Sequence, residues 1–134
     1  MKNCLTIAGS DCSGGAGIQA DIKTFSALGC FGMSAITSVV AENTQGVISI
    51  QNIDPKIVAD QIDAVFRDID VAAVKLGMLP SVEIIKVVAE KLAEYKPPFI
   101  VCDPVMVATS GDFLSGEGTA DALKKYIFPL ADVV

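Results

Sequence analysis

A glycine-rich segment, AGSDCSGGAGIQAD at residues 8–21, directly follows an apolar run that predicts a buried strand. Glycine adopts backbone conformations that other residues resist, so this loop can fold tightly and present bare N–H groups to a ligand. The helix predicted at residues 18–28 would direct its positive end and unpaired amides toward the same space. The segment therefore favours a small anionic or polar ligand. Its glycines are Gly9, Gly14, Gly15 and Gly17.

Asp21 lies one turn inside the predicted helix. A carboxylate so close to the loop would repel a bare phosphate, so we expect it to accept a hydrogen bond from a hydroxyl or an amine. This points to a polar ligand that can be phosphorylated. The alternative is structural, because glycine turns between a strand and a helix are common in α/β proteins.

The glycine-rich segment matches neither of two common nucleotide-binding motifs. Gly9 and Gly14 have the spacing of a P-loop, but Gly15 and Ala16 stand where that motif needs Lys and Ser or Thr. The GxGxxG spacing of dinucleotide-binding folds is absent as well, which leaves a nicotinamide enzyme only weakly supported.

The remaining pattern predicts one α/β domain at residues 1–134 with a mostly parallel sheet. Five runs have the composition of strands, and all but the third read as buried. Between them lie helical patterns, one after Pro55, one from Val82 to Leu92 and one over about residues 116–127 after a loop at 109–118. The predicted strands are 4–8, 34–40, 47–53, 71–76 and 99–102.

Polar side chains follow the carboxyl ends of these strands, where α/β sheets bind ligands. Glu42 ends an apolar strand, and a buried carboxylate there needs a partner such as an amine or a ring nitrogen. Asp103 could hold a metal-bound water near phosphates or cap a turn, Lys75 needs an anion, and Met78 could pack or contact a ligand. The segment ENTQG at 42–46 could equally be a simple turn. We expect these residues to converge on one crevice with the other residues that follow the strands: Gly9, Ser10, Asp11, Asn43, Thr44, Gly77, Pro104 and Val105.

Composition excludes several classes of function. The formal net charge is −6, and Lys and Arg form no cluster, which argues against nucleic acid and against an anionic membrane. No apolar run reaches the roughly 18 residues of a membrane span, and no signal peptide precedes the first strand, so we expect a cytoplasmic protein. The four cysteines lack CxxC spacing, which predicts free, buried thiols and no disulfide framework. The chain has no histidine, which argues against a zinc site and excludes Ser-His-Asp and Cys-His chemistry.

Four segments in order, AGSDCSGGAGIQADIKTFSALG, VVAENTQGV, VKLGML and VCDPVMVATSGDF, resemble the hydroxymethylpyrimidine and phosphomethylpyrimidine kinases of thiamine biosynthesis. The resemblance covers essentially the whole chain. It implies a ribokinase-like three-layer α/β sandwich with a mostly parallel central sheet. It also implies transfer of the γ-phosphate of ATP, with Mg²⁺, to 4-amino-5-hydroxymethyl-2-methylpyrimidine and then to its monophosphate.

The resemblance also implies roles for individual residues. Glu42 would bind the aminopyrimidine, Asp21 would lie near the hydroxymethyl group, and Met78 and Val105 would line the ring. Gly9 and the loop of Gly14, Gly15 and Gly17 would close on the substrate. Asp103 would lie near the metal and hold it through water.

Members of this family continue past the point that corresponds to Val134, and their catalytic anion-hole loop lies in that second half. We therefore expect a chain truncated before the nucleotide-binding part, with no catalytic residue of its own, inactive alone and prone to form a homodimer. Two alternatives stay open. One is a pyridoxal-type kinase of the same fold, and the other is a non-catalytic module that binds the pyrimidine without ATP.

Overall fold

A computed structural model describes residues 1–105 and 116–134 of the chain. It contains a five-stranded sheet in the order β3-β2-β1-β4-β5. Strand β3 runs antiparallel to β2, and all other neighbours are parallel. The strands are β1 (Asn3–Asp11), β2 (Phe31–Asn43), β3 (Gly46–Asn52), β4 (Ala73–Leu76) and β5 (Phe99–Cys102).

The helices lie on both faces of the sheet. Helix α1 joins β1 to β2, whereas α2 and α3 connect strands in the opposite direction along the sheet. Right-handed crossovers therefore place α1 on one face and α2 with α3 on the other. The helices are α1 (Gly17–Ala27), α2 (Pro55–Phe66), α3 (Val82–Tyr95) and the short α4 (Thr119–Ala122), which continues as a π turn (Leu123–Ile127) and a 3-10 turn (Phe128–Leu130).

Local sequence accounts for where the two longer helices begin. Asp54 precedes Pro55, and its side chain accepts a hydrogen bond from the Lys56 N–H at the start of α2. Ser81 does the same for the Ile84 N–H at the start of α3. The apolar stripes of both helices then pack on the sheet, with Val58, Ile62, Ile85, Val88 and Leu92 almost inaccessible to solvent.

The predicted alternation of strands and helices is confirmed, with shifted boundaries. The strand predicted at 4–8 extends to Asp11, because Gly9–Asp11 pair with β2 instead of forming a free turn. The pairing skips Thr37 of β2, and the Gln61 side chain satisfies the N–H and C=O of Ile36 at this irregularity. The last helix begins at Thr119 and not near 116. Most of the loop predicted at 109–118 lies outside the described residues.

Free thiols are confirmed for all four cysteines, but the expectation that they are buried holds only for Cys102, since Cys12 is exposed and Cys4 and Cys30 are partly buried. No helix in the described part of the chain is both long and apolar enough to cross a membrane.

Candidate functional site

A cavity of about 490 Å³ opens at the carboxyl ends of β1, β2, β4 and β5. The expected convergence on one crevice is therefore observed. Of the residues expected there from the sequence, all but Gly14 and Pro104 line it: Gly9, Ser10, Asp11, Gly15, Gly17, Asp21, Glu42, Asn43, Thr44, Lys75, Gly77, Met78, Asp103 and Val105. The walls also include Ala8, Ser13, Ala16, Ala20 and Val40.

The loop between β1 and α1 requires glycine at specific positions. Gly14 and Gly17 have φ angles of +87° and +59°, in the left-handed region. A Cβ atom on Gly17 would lie 2.4 Å from the backbone oxygen of Gly9. Gly14 does not line the cavity, and its carbonyl accepts a hydrogen bond from Lys23. The close approach at Gly17 therefore brings the start of α1 onto the end of β1.

Asp11 organises this loop from inside. Its Oδ1 accepts from the Ser13 N–H at 2.9 Å and the Ser13 hydroxyl at 2.7 Å, and its Oδ2 accepts from the Gly15 N–H at 3.1 Å. Burial alone would raise the pKa of Asp11, but these bonds and one from the Ala16 N–H outweigh it and lower the pKa. Asp11 is therefore held as a carboxylate under the glycine loop.

Gln19, in the first turn of α1, attaches the helix to the same strand end. Its Oε1 accepts from the Asp11 N–H at 2.8 Å, and its Nε2 donates to the Ser10 hydroxyl at 2.8 Å. The Gln19 amide thus accepts from Asp11 and donates to the preceding residue, Ser10. The bond from Gln19 Nε2 holds the hydroxyl of Ser10, a residue of the cavity wall.

Asp21 and Lys75 form an ion pair in the cavity. Lys75 extends from β4 and contacts both oxygens of Asp21, at 3.0 and 2.9 Å, while the Thr6 hydroxyl donates to Oδ2 at 2.6 Å. Their side chains are 15% and 24% exposed, respectively. The anion that the sequence required for Lys75 is therefore Asp21.

Glu42 lies on the opposite side, near the end of β2. Burial raises the pKa of its carboxyl group, and the negative charge of Asp11 raises it further. The backbone of Glu42 is fixed by Cys12, whose thiol donates to the Glu42 carbonyl at 3.1 Å and accepts from its N–H at 3.4 Å. Glu42 therefore takes a proton more readily than an ordinary glutamate, in a fixed position.

The turn after Glu42 is built by Asn43, whose Oδ1 accepts from the N–H groups of Gln45 and Gly46 at 2.9 and 3.3 Å. Asn43, the last residue of β2, pairs with Gly46, the first residue of β3. The segment ENTQG is therefore a tight turn at residues 44–45 between β2 and β3, and its first three residues, Glu42, Asn43 and Thr44, also line the cavity.

The apolar part of the cavity wall includes Met78, Val40 and Val105. Met78 is 6% exposed, and its carbonyl accepts a 2.7 Å hydrogen bond from the buried Thr37 hydroxyl. A Cβ on Gly9 would lie 2.6 Å from the Met78 methyl carbon, so the absence of a side chain at Gly9 leaves room for Met78. The cavity thus combines a tight apolar contact with charged groups.

Asp103 is an exposed residue at the end of β5, and its N–H donates to the Leu76 carbonyl at 2.9 Å. In residues 1–105 and 116–134, no group of three or more His, Cys, Asp or Glu side chains could hold a metal ion. A single carboxylate suits a Mg²⁺ ion that keeps most of its water and is bound mainly through phosphate oxygens. Asp103 fits only such a water-mediated contact.

Chemically, the described cavity is acidic. Four carboxyl groups line it, those of Asp11, Asp21, Glu42 and Asp103, against one ammonium group that is already bound to Asp21. Such a wall suits a ligand with hydrogen-bond donors, such as an amine or a hydroxyl. An anionic group here would need a counter-ion.

Sequence reasoning missed Gln19 and Cys12 as site-forming residues, and it placed Asp11 in the crevice without identifying its role in the loop. A local signal for Asp11 exists, since an Asp two residues before a Ser is typical of a turn in which the carboxylate accepts from the backbone. No comparable signal exists for Cys12, because its partner lies 30 positions away.

A family model described as phosphomethylpyrimidine kinase matches residues 11–134. The chain is 53% identical over 130 residues to the thiamine biosynthesis bifunctional protein ThiED of Geobacter sulfurreducens, which covers 97% of this chain and 26% of that protein. It is 48% identical over 132 residues to the hydroxymethylpyrimidine/phosphomethylpyrimidine kinase of Escherichia coli, with coverage of 98% and 50%. The chain thus spans half or less of the length of these two relatives.

Solved structures agree with the fold. The crystal structure of phosphomethylpyrimidine kinase from Clostridium difficile matches with a TM-score of 0.91 and 52% identity, over 98% of this chain and 57% of that one. Pyridoxal kinase from Staphylococcus aureus in complex with pyridoxal matches with a TM-score of 0.87 and 36% identity, over 99% and 49%. The expected ribokinase-like α/β fold is confirmed.

Proposed function

The chain belongs to the phosphomethylpyrimidine kinase family, and on that premise we propose that its cavity binds the substrate of an ATP-dependent kinase of thiamine diphosphate biosynthesis. The substrates are 4-amino-5-hydroxymethyl-2-methylpyrimidine and its monophosphate. The reaction transfers the γ-phosphate of ATP to the hydroxymethyl oxygen of the first and then to the phosphate of the second.

The observation that carries this proposal is the pair of carboxyl groups in one cavity, Glu42 on β2 and Asp21 on α1. A carboxyl group that takes a proton readily can donate to a ring nitrogen while its other oxygen accepts from the neighbouring amine. Glu42, with its raised pKa, suits that edge of the aminopyrimidine. Asp21, which is ion-paired with Lys75, has carboxylate oxygens that suit the hydroxyl group as a donor.

The other cavity residues support the ring and the loop. Met78 and Val105 would contact the faces of the ring, and Gly9 would allow its close approach. Gly15 and Gly17, with Gly14 behind them, would close over the ligand. A volume of about 490 Å³ lies within the range of small-molecule sites.

ATP as the phosphate donor and Mg²⁺ as its counter-ion belong to the same proposal. Lys75 is the one ammonium group in the described cavity wall and is bound to Asp21, so phosphate oxygens here need a further cation. Asp103 would hold Mg²⁺ through water. The metal would neutralise charge on the phosphate oxygens during transfer.

Calorimetry on the chain with the hydroxymethyl aminopyrimidine tests the assignment. We expect saturable binding that Glu42→Gln weakens by about tenfold, because the amide repeats the donor and acceptor pattern but replaces the bond made by the acidic proton with a weaker neutral one. Glu90→Gln, on the exposed face of α3, removes the same charge outside the cavity and should leave binding unchanged. Absence of binding to the parent chain would reject the assignment.

Pyridoxal is the second candidate substrate, because the fold of this chain also matches that of a pyridoxal kinase in complex with pyridoxal. Pyridoxal lacks the exocyclic amine, so it should bind the chain more weakly than the aminopyrimidine and respond less to Glu42→Gln. Equal binding of both compounds, with equal sensitivity, would instead support a kinase of broader specificity. Binding of the pyrimidine that is tight and unaffected by ATP would favour the non-catalytic module.

We also propose that the protein is a cytoplasmic homodimer without nucleic-acid or membrane partners. The β2–β3 ribbon supports self-association, since Val39, Ile48 and Ile50 are 49%, 78% and 40% exposed. Light scattering tests this: Ile48→Lys should shift a dimeric mass toward that of the monomer, and a monomeric parent chain would reject it.

A further inference from the structure

We propose that Asp11 is a positioning residue for the cavity, because its buried carboxylate selects the one shape of loop 12–17 that covers the ligand. The proposal extends the proposed function by adding a residue that acts on the ligand through the loop. Its structural half can be tested without any ligand.

The contacts of Asp11 span the loop. Its two oxygens accept from Ser13 at 2.9 and 2.7 Å and from Gly15 at 3.1 Å, and its own carbonyl accepts from the Gly14 N–H at 3.0 Å. At the same time its N–H is bound by Gln19 of α1. One residue therefore links β1, the loop and the first turn of the helix.

A carboxylate is needed here because glycine residues alone do not determine one backbone conformation of the loop. Three of the six residues Cys12–Gly17 are glycine and a fourth is alanine, and glycine populates many backbone conformations with similar ease. Asp11 is 4% exposed, and within the described chain no Lys or Arg forms an ion pair with it. Its charge is compensated by loop N–H and O–H donors, so the loop must keep those donors in place while Asp11 is ionised.

The charge of Asp11 also reaches the opposite wall. It contributes, after burial, to the raised pKa of Glu42. The other titratable or charged groups around the cavity are Asp21 from α1, Lys75 from β4 and Asp103 from β5, with the Cys12 thiol against the Glu42 backbone. A change at Asp11 should therefore alter both the loop and the proton affinity of Glu42.

Asp11→Asn keeps the size of the side chain but removes the charge and turns one acceptor into a donor. We expect the amide hydrogen of Gly15 to exchange with solvent about tenfold to a hundredfold faster, because its hydrogen bond to a charged group is lost. The NMR titration midpoint of the Glu42 carboxyl carbon should move to lower pH. Calorimetric affinity for the aminopyrimidine should fall by about tenfold, with a binding pH profile shifted in the same direction.

Asp60→Asn is the matched control, since it removes one carboxylate from the exposed surface of α2, outside the cavity. It should change none of the three readouts. Unchanged Gly15 exchange and an unchanged Glu42 midpoint in Asp11→Asn would overturn the proposal. If both move as expected while neither protein binds the pyrimidine, the proposed ligand is wrong and the positioning role of Asp11 stands.

Should Asp11→Asn not fold, Ser13→Ala serves as the second variant, because it removes only the 2.7 Å hydroxyl bond. The titration midpoint of Asp11 should then rise, and pyrimidine affinity should fall by a smaller factor than for a complete loss. An Asp11 midpoint that does not change would overturn the proposal.

Discussion

Lys75 Nζ bridges both carboxylate oxygens of Asp21, at 3.0 and 2.9 Å, across 54 positions of the chain. Lys75 stands on β4 and Asp21 on α1, so the pair ties the helix to a strand next to β1. The Thr6 hydroxyl completes the set with a 2.6 Å bond to Asp21. The Asp21 carboxylate is therefore held in the cavity wall by groups of the protein itself.

Lys75→Met should destabilise the chain by about 2 kcal/mol, because it leaves the largely buried Asp21 carboxylate with one remaining donor. Urea unfolding measures the change. The double variant Lys75→Met with Asp21→Leu should recover part of the loss, since it removes the unpaired charge as well. If the double variant were the less stable of the two, the stranded charge would not be the cause.

Lys56→Met is the matched control for the ion pair. Lys56 bonds Asp60 at 2.8 Å, but both side chains are largely solvent-exposed. Exposed pairs contribute little to stability, so this variant should unfold at the same urea concentration as the parent.

The position of the cavity followed from the sequence because it depends on regular features. Short apolar strands alternating with helices imply a parallel sheet, and the carboxyl ends of parallel strands meet at one edge. Glu42, Lys75 and Asp103 could therefore be placed together without knowing any contact. The same reasoning could not pair Lys75 with Asp21, because that contact depends on how far α1 leans over β1 toward β4.

The end of β1 shows why the boundary was wrong. Glycine and serine at positions 9 and 10 predict a turn, but the long neighbouring strand β2 offers pairing partners as far as Val40. Tertiary pairing thus outweighed local preference, and the turn moved to residues 12–16. Asp11 was consequently expected in the turn after the strand, whereas it is the last residue of β1 and bonds the loop that follows.

Gly17→Ala should lower the free energy of unfolding by more than the addition of a single methyl group normally does. A left-handed φ costs a non-glycine residue about 1–2 kcal/mol, and here the added methyl group would also meet the Gly9 backbone at 2.4 Å. With overpacking included, we expect a loss of about 3 kcal/mol in the free energy of unfolding. Pyrimidine binding should fall as well, because the start of α1 must move away from β1.

Gly29→Ala separates the two causes. Gly29 has a φ of +78°, yet a Cβ there would meet nothing within 4 Å. It should cost about 1 kcal/mol and leave binding intact. Equal losses for the two variants would mean that the contact with Gly9 relaxes at no cost.

Tyr95→Phe tests an ion cluster on the α2–α3 surface. The Tyr95 hydroxyl donates to Asp63 at 2.6 Å, and its ring stacks on Phe66 at 4.6 Å, an arrangement that Phe can keep. Hydrogen bonds from Lys91 and then from Tyr95 lower the pKa of Asp63. The stability that Asp63 contributes is present above its unfolded pKa and is lost as the pH falls through the lower, folded one.

The variant should therefore unfold at a higher pH than the parent during acid titration, as followed by circular dichroism. Tyr126→Phe removes a hydroxyl from a ring that contacts Lys86 and Lys125 instead of a carboxylate. It should leave the acid transition in place. A shift of the same size in both variants would assign the effect to the loss of any tyrosine hydroxyl.

Glu42→Gln should stabilise the chain at neutral pH while it weakens pyrimidine binding. Burial and the charge of Asp11 raise the pKa of Glu42 above the ordinary value of 4.5, so the folded chain binds more protons than the unfolded chain in the window above that value. The free energy of unfolding must therefore fall as the pH rises through this window. Glutamine carries no charge, so the stability advantage of the variant should be near zero at about pH 4 and grow toward neutral pH.

Thermal unfolding at a series of pH values measures this difference, and Glu90→Gln on the exposed face of α3 supplies the control with the same change of charge. A constant difference between parent and Glu42→Gln at all pH values would mean that Glu42 titrates alike in both states. A difference that grows with pH, together with weaker binding, would mean that the cavity keeps a destabilising carboxyl group because its ligand needs it. That is the expected signature of a residue placed for binding and not for folding.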